Sequence, residues 1–360
     1  MFVACRDLRF AKGRFALMGA VIVLITLLVG LLSGLTGGLA RDNTSALTGL
    51  PADHIAFGRP AAGRTVSFTA STVRAAQWRR LAARPGVVRA EPLGITTIEA
   101  TAGRGTAAVS VFGVRPDSGL APDAPGPGTV VLSTGAADGL GARPGSRITA
   151  GGRNLTVSAV CGDASYSHTP VVWAGLADWR SLAPAAHTGG HGDQATVIAL
   201  RTRPGADLTA ADAAAGTRTT TLDGSLSALG SYRAENGSLR LMRAFLFVIS
   251  ALVVGAFFTV WTIQRSADIA VLKALGSSTA YLLRDALGQA VLLLVAGAAV
   301  GTGLAALVGR FVPKDVPFVL EPGAALGPAA VMTVLAVAGA ALSVRRITAV
   351  DPLAALGTAR

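Results

Sequence analysis

Four unbroken apolar runs constrain this chain more than any other feature. A helix rises 1.5 Å per residue, so crossing a hydrocarbon core of about 30 Å takes roughly 20 apolar residues. The runs Phe15–Leu35, Ala244–Thr262, Ala286–Val308 and Ala325–Val344 are of that length. Backbone N–H and C=O groups find no water in lipid, so such runs must satisfy themselves as helices. The first run is read as a retained span. It is longer than the apolar part of a secretion signal, although Gly38-Leu39-Ala40 resembles a cleavage site.

Orientation follows from the short flanks, because Lys and Arg concentrate on the cytoplasmic side. Arg6, Arg9, Lys12 and Arg14 precede the first run, Arg265, Lys273 and Arg284 lie between the second and third, and Arg345 and Arg346 follow the fourth. Long translocated domains escape this rule, so the arginines between 41 and 240 do not oppose it. The expected fold is an α-helical membrane protein with four transmembrane helices and an α/β extracytoplasmic domain inserted between helices 1 and 2. Its segments are a cytoplasmic start (1–14), helix 1 (15–37), the external domain with a stalk (38–240) and helix 2 (241–263). A cytoplasmic loop (264–285), helix 3 (286–308), an external loop (309–324), helix 4 (325–344) and a cytoplasmic tail (345–360) complete it. Both termini are expected in the cytoplasm of a bacterial cell, with the chain multi-pass in the cytoplasmic membrane.

Composition narrows the function classes. Charged residues make up 14% of the 360, well below the quarter or so usual in soluble proteins. The net charge is +12, but its arginines are scattered, lysine is nearly absent, and no base-stacking or helix-turn-helix pattern accompanies them. Nucleic acid is therefore not an expected partner. Heavy Ala, Gly and Arg usage is also what a GC-rich genome produces. No GxxxxGK[ST] loop is present to cradle ATP phosphates, nor a GxSxG elbow or HExxH helix. No catalytic residue is assigned. The near absence of ionisable groups in the apolar runs argues against a proton- or ion-coupled carrier.

Within the external segment, runs at 64–69, 87–100, 106–114, 129–133, 155–161, 170–174 and 195–201 read as strands. Ser71–Ala83 reads as a helix capped by Ser71 or Thr72 and closed by Pro85-Gly86, and Leu208–Ala215 as a short helix. Residues 219–243 read as a stalk with apolar positions at Leu222, Leu226, Leu229, Leu239 and Met242. Gly224, Gly230 and Gly237 each cost about 1 kcal/mol relative to Ala in a helix, so the stalk is expected to be kinked or interrupted.

The segment HTGGHGD offers His187, His191 and Asp193, but a Gly-rich loop does not hold two imidazoles on one face, and a solvated loop is expected instead of a metal site. Trp173 and Trp179 read as core. Cys5 and Cys161 fall on opposite sides of the membrane and are not expected to pair. Gly30 with Gly34, and Gly297 with Gly301, form GxxxG spacings that suit close helix packing or a dimer interface.

Residues 265–278, RSADIAVLKALGSS, form the most patterned loop. Ile269, Leu272 and Leu275 recur at three-residue spacing and share a helical face, Asp268 and Lys273 flank them, and Gly276 stops the helix. Such a helix suits docking to a soluble cytoplasmic partner, and equally suits lying on the lipid surface.

This loop resembles the RRREIAVLKALGAS-type segment of the FtsX/MacB-type permease family, with Asp268 where the family usually has Glu. The C-terminal RRITAVDPLAAL (Arg345–Leu356) is similar to the family's terminal R-x-x-x-x-DP-x-x-AL, and Thr129–Leu182 to its MacB-like periplasmic core. The resemblance implies the permease subunit of a type VII ABC transporter. In it Asp268, Ile269, Leu272, Lys273, Leu275 and Gly276 form the helix that couples to a separate ATPase. It further implies a dimer with a second permease copy, no cofactor on this chain, and ATP and Mg on the ATPase. ATP-driven motion would pass to the external domain and any extracytoplasmic protein partner there. The alternative is a membrane-anchored sensor or scaffold without transport.

Overall fold

The structure is a computed structural model that describes residues 12–183, 193–264, 278–313 and 316–320, with 330–331, 333–334 and 337–338 beyond. The chain divides into two compact units, Leu39–Gly237 and Met1–Gly38 with Ser238–Arg360.

The first of these is a mixed α/β domain. Its strands are β1 (His54–Gly58), β2 (Val73–Arg74), β3 (Val87–Ala102), β4 (Gly105–Val114), β5 (Thr129–Leu132) and β6 (Arg147–Ala150). They continue with β7 (Arg153–Val160), β8 (Ser165–Tyr166), β9 (Thr169–Gly175), β10 (Gln194–Ala195), β11 (Val197–Thr202) and β12 (Thr217–Thr221). The helices, numbered along the whole chain, are α1 (Lys12–Thr48), α2 (Ala75–Ala82), α3 (Thr134–Leu140), α4 (Leu176–Leu182), α5 (Leu208–Ala215), α6 (Leu222–Ser225), α7 (Gly230–Gln264) and α8 (Thr279–Gly309).

Strand β3 is 16 residues long and serves two sheets. Its first half, Val87–Leu93, pairs with β11, which leads on to β1 and β12. Its second half, Gly94–Ala102, pairs with β4, and its end reaches β6. The pairings β3–β4, β4–β9, β9–β5, β5–β7, β7–β6 and β6–β3 thus close on themselves as a ring. The strand changes partner at Gly94, which stands opposite Gly113. A Cβ on either glycine would run into the indole of Trp179 on α4, which is 0% exposed. Two glycines in register thus make a flat seat for one large ring. Gly113→Val is expected to lower stability by about 1–3 kcal/mol through overpacking, read as a drop in melting temperature. Gly303→Ala, where a Cβ meets nothing within 4 Å, is the control.

Side chains alternate between two faces, as the period of a strand requires. In β11, Val197 and Ala199 enter one core, and Ile198 and Leu200 the other. The first core holds Phe57, Phe68, Phe112, Tyr166 and Trp173, with ring centroids 4.9–5.9 Å apart at steep angles. Trp179 anchors the second.

Several expectations need correcting. Residues 64–69 are not a strand, because Phe68 is drawn into the aromatic core and the chain around it turns. The helix expected from Ser71 begins at Ala75, and Gln77 Oε1 caps it by accepting from Arg74 N–H. Ser71 is engaged elsewhere: its hydroxyl donates to Thr196 O at 2.7 Å. Residues 217–229 are not stalk. They form β12, α6 and a 3-10 turn at Leu226–Ala228. From Gly230 the helix α7 then runs 35 residues to Gln264, and Gly237 does not break it. Strand β1, read from the sequence as no element, sits between β11 and β12.

Helix α1 is 37 residues long, about 55 Å at 1.5 Å per residue, and continues past Leu35 to Thr48. Among the described residues three stretches are long and apolar enough to cross a membrane: Ala16–Thr48, Gly230–Val253 and Val291–Gly309. Most of the fourth run, 325–344, lies outside the described residues.

Candidate functional site

The end of α1 and the start of α7 are both built into the α/β domain. Leu47, at 0% exposed, and Leu50 follow α1 into the aromatic core, while Leu226 and Leu229 enter just before α7 begins. Above this apolar contact lies a polar clasp. Strands β8 and β9 are joined by two residues, Ser167 and His168, since Ser165 pairs with Pro170 and Tyr166 with Thr169. Both turn residues have positive φ, 51° and 62°. Two-residue hairpins want such dihedrals and usually place Asn or Gly there. Serine and histidine in that conformation cost roughly 1–3 kcal/mol each, so the surroundings must hold them.

His168 is held from both sides. Its Nδ1 lies 3.0 Å from Asp42 Oδ2 on α1 and its Nε2 2.7 Å from Glu235 Oε1 on α7. A neutral imidazole carries one N–H, so both contacts are donated only by the protonated ring. Asn43, 0% exposed, sits beneath: its Nδ2 donates to Glu235 Oε2 at 3.1 Å, its Oδ1 accepts from Ser231 Oγ at 2.9 Å, and its backbone O accepts from Ser167 N–H. Ser167 and Ser231 hydroxyls meet at 3.1 Å. Ser45 Oγ accepts from Ser165 N–H at 2.9 Å, and Arg41 pairs with Asp163 at 2.8 Å. That last pair is exposed and contributes little.

Partial burial of His168 pulls its imidazolium pKa down. The hydrogen bonds and charges of Asp42 and Glu235 outweigh that and hold the group above the ordinary imidazole range. The clasp therefore favours a charged histidine between two carboxylates. Mechanically it joins α1, α7 and the β8–β9 turn. Strand β9 runs between β4 and β5, inside the closed ring, so the clasp joins both helices to a strand within the ring. Nothing in the sequence brings these residues together: Asp42 and His168 are 126 positions apart, and His168 and Glu235 are 67. The one local hint is a hairpin turn with no glycine.

The residues singled out from the loop, Asp268, Ile269, Leu272, Lys273, Leu275 and Gly276, lie outside the described residues. So do His187 and His191, while Asp193 pairs with Arg180 at 2.8 Å. No metal-binding cluster occurs among the described residues. Gly30, Gly297 and Gly301 lie where α1 and α8 touch within the chain. A Cβ on Gly30 would come 2.7 Å from Ala305 Cβ, one on Gly297 2.6 Å from Ile22 Cγ2, and one on Gly301 2.8 Å from Val23 O. Gly34 faces the ring of Phe318. Small residues let these helix backbones approach. Trp173 and Trp179 are buried, and Cys161 is a free thiol.

Residues 15–218 match the MacB-like periplasmic core domain, and residues 240–352 match the FtsX-like permease C-terminal domain. A hemin transport system permease protein, HrtB, of Staphylococcus epidermidis is 31% identical over 142 residues, 39% of this chain and 41% of that relative. The chain thus matches about two fifths of the length of that protein. An uncharacterized ABC transporter permease of Mycobacterium tuberculosis is 26% identical over 374 residues, 99% of each chain. The periplasmic region of MacB from Actinobacillus actinomycetemcomitans covers 49% of this chain and 92% of its own at 12% identity, with a TM-score of 0.36.

Proposed function

Because the chain belongs to the FtsX/MacB-type permease family, we propose that it is the permease subunit of an ABC transporter that works by transmitting motion. A separate ATPase binds and hydrolyses ATP with Mg, this chain contributes no catalytic group to that step, and two permease copies work as a dimer. The loop 265–278 receives the ATPase's movement, and α1 and α7 carry it to the external domain. The chain crosses the bacterial cytoplasmic membrane four times with both termini in the cytoplasm. The observation that carries this reading is the clasp. Two helices that each include a span-length apolar stretch end in one core and are tied to one turn by His168 and Ser167. A carrier with a central translocation site would need polar groups within the membrane instead.

Purification of the solubilised chain from its own membranes tests the reading. The expected result is recovery of a nucleotide-binding subunit in stoichiometric amount. A sensor or scaffold would come without one, and recovery of the chain alone would overturn the proposal. Orientation is checked in the same cells. Cysteines at Thr106 and Ser227, both exposed in the α/β domain, are expected to react with an impermeant thiol reagent from outside. One at Ser277 is expected to stay unlabelled.

A further inference from the structure

The connection 59–72 between β1 and β2 contains no regular element, yet it is fixed in place. Phe68 is 4% exposed and packs edge-on against Phe57 at 4.9 Å and Tyr166 at 5.9 Å. Ser71 Oγ accepts from Gly58 N–H at 3.0 Å and donates to Thr196 O at 2.7 Å. Residues 59–66, which lead into these anchors, form a wall.

Two cavities share that wall. One, of about 710 Å³, is lined by Arg59, Arg64, Arg74 and Arg80 and by no carboxylate. The other, of about 910 Å³, is lined again by Arg59 and Arg64, with Arg218 added. Its one acid, Asp212, is already engaged: it accepts from Thr217 Oγ1 at 2.6 Å and from Thr219 Oγ1 and N–H at 2.7 Å each. None of the five arginines has an ion-pair partner among the described residues. Like charges around a concave surface add their potentials and draw anions in. A guanidinium offers a fork of donors matched to carboxylate or phosphate oxygens. Small-molecule sites commonly occupy about 300–1,000 Å³, and both cavities fall in that range.

We propose that this arginine-lined groove binds a small multivalent anion bearing phosphate or carboxylate groups. The proposal does not rest on the transport reading. It requires only the α/β domain, and it holds whether or not the chain couples to an ATPase. Arg59 and Arg64 line both cavities, and with Arg74, Arg80 and Arg218 nearby they suit a ligand with at least two anionic groups. A monovalent anion would leave most of the positive charge unmet.

The test is calorimetric titration of the full-length detergent-solubilised chain with inorganic tripolyphosphate and, separately, with citrate. Saturable binding of at least one is expected, weakening as salt is raised. Binding of tripolyphosphate alone would assign phosphate groups, and binding of citrate alone carboxylates. Arg64→Ala is expected to weaken binding by about tenfold or more, as loss of a charge-assisted pair does. So is the double variant Arg59→Ala with Arg80→Ala. Arg79→Ala removes an exposed charge from the same helix as Arg80 but outside both cavities, and is expected to bind as wild type does. These arginines are exposed, so the variants are expected to fold, which an unchanged melting temperature checks. Failure of both probes to saturate would overturn the proposal, and so would an Arg79→Ala loss as large as that of Arg64→Ala.

Discussion

Replacing Leu272 by Asp is expected to abolish most of the association between this chain and the ATPase proposed to partner it, while leaving membrane insertion unchanged. In the proposed coupling helix Ile269, Leu272 and Leu275 share one apolar face by their three-residue spacing, and Leu272 is its middle position. Burying a leucine side chain contributes roughly 1.5–3 kcal/mol. Substituting aspartate removes that and forces an unpaired carboxylate into an apolar groove or leaves the groove open, at a further cost of several kcal/mol. Each 1.4 kcal/mol is a factor of about ten, so a loss of a hundredfold or more is expected. A pull-down of wild type and Leu272→Asp with the ATPase, followed by ATP turnover of the recovered complex, measures it. Equal recovery and equal turnover would remove the loop from the coupling path. A helix lying only on lipid would instead loosen from membranes and lose no protein partner.

His168→Gln is expected to have the second large effect, at the clasp in the α/β domain. It leaves Asp42 and Glu235 facing a neutral amide while Ser167 and residue 168 retain their strained turn. Binding of the proposed ATPase partner should persist, because the loop 265–278 proposed to receive it is untouched. Hydrogen exchange at the end of α1 and the start of α7, residues 39–48 and 230–237, should accelerate by an order of magnitude or more, since opening the joint becomes easier. The pH dependence separates a charge role from mere space filling. The folded-state pKa of His168 is raised, so its contribution to stability is fully present below the ordinary imidazole value of about 6.5. It is lost as pH rises through the raised folded value. The gap in melting temperature between wild type and His168→Gln should therefore be widest in mild acid and shrink toward alkaline pH. A gap that stays constant across that range would show that the histidine's charge does not matter to the joint.

Much of this architecture is legible from local chemistry. Helix α5 runs from Leu208 to Ala215 as read from the sequence, because both ends are written beside it. Asp207 accepts from Ala210 N–H as a cap, and Gly216 takes the left-handed conformation that stops it. The strand readings at 106–114, 129–133 and 170–174 match β4, β5 and β9 within about a residue or two. Their apolar and β-branched runs are bounded by turns, and little else competes for them. The span-length apolar stretches are equally plain, since bilayer thickness sets a length that composition either meets or does not.

What only the tertiary structure decided depends on partners far away in the chain. Residues 64–69 have strand composition, yet they form a wall because Phe68 finds Phe57 and Tyr166. Thr219–Thr221 looked like the root of a stalk, yet these residues pair with β1 because a neighbouring strand offers their backbone groups partners. Gly94 and Gly113 carry no signal of their own until Trp179 rests on both. The clasp is the extreme case. Asp42, His168 and Glu235 are ordinary surface residues in their own neighbourhoods and become one site only when two helix ends enter the same core. Periodicity and capping act within one or two turns of chain and can be read from it. Burial, register and ion pairing are settled by which distant segments share a core, and that choice is made by the whole fold at once.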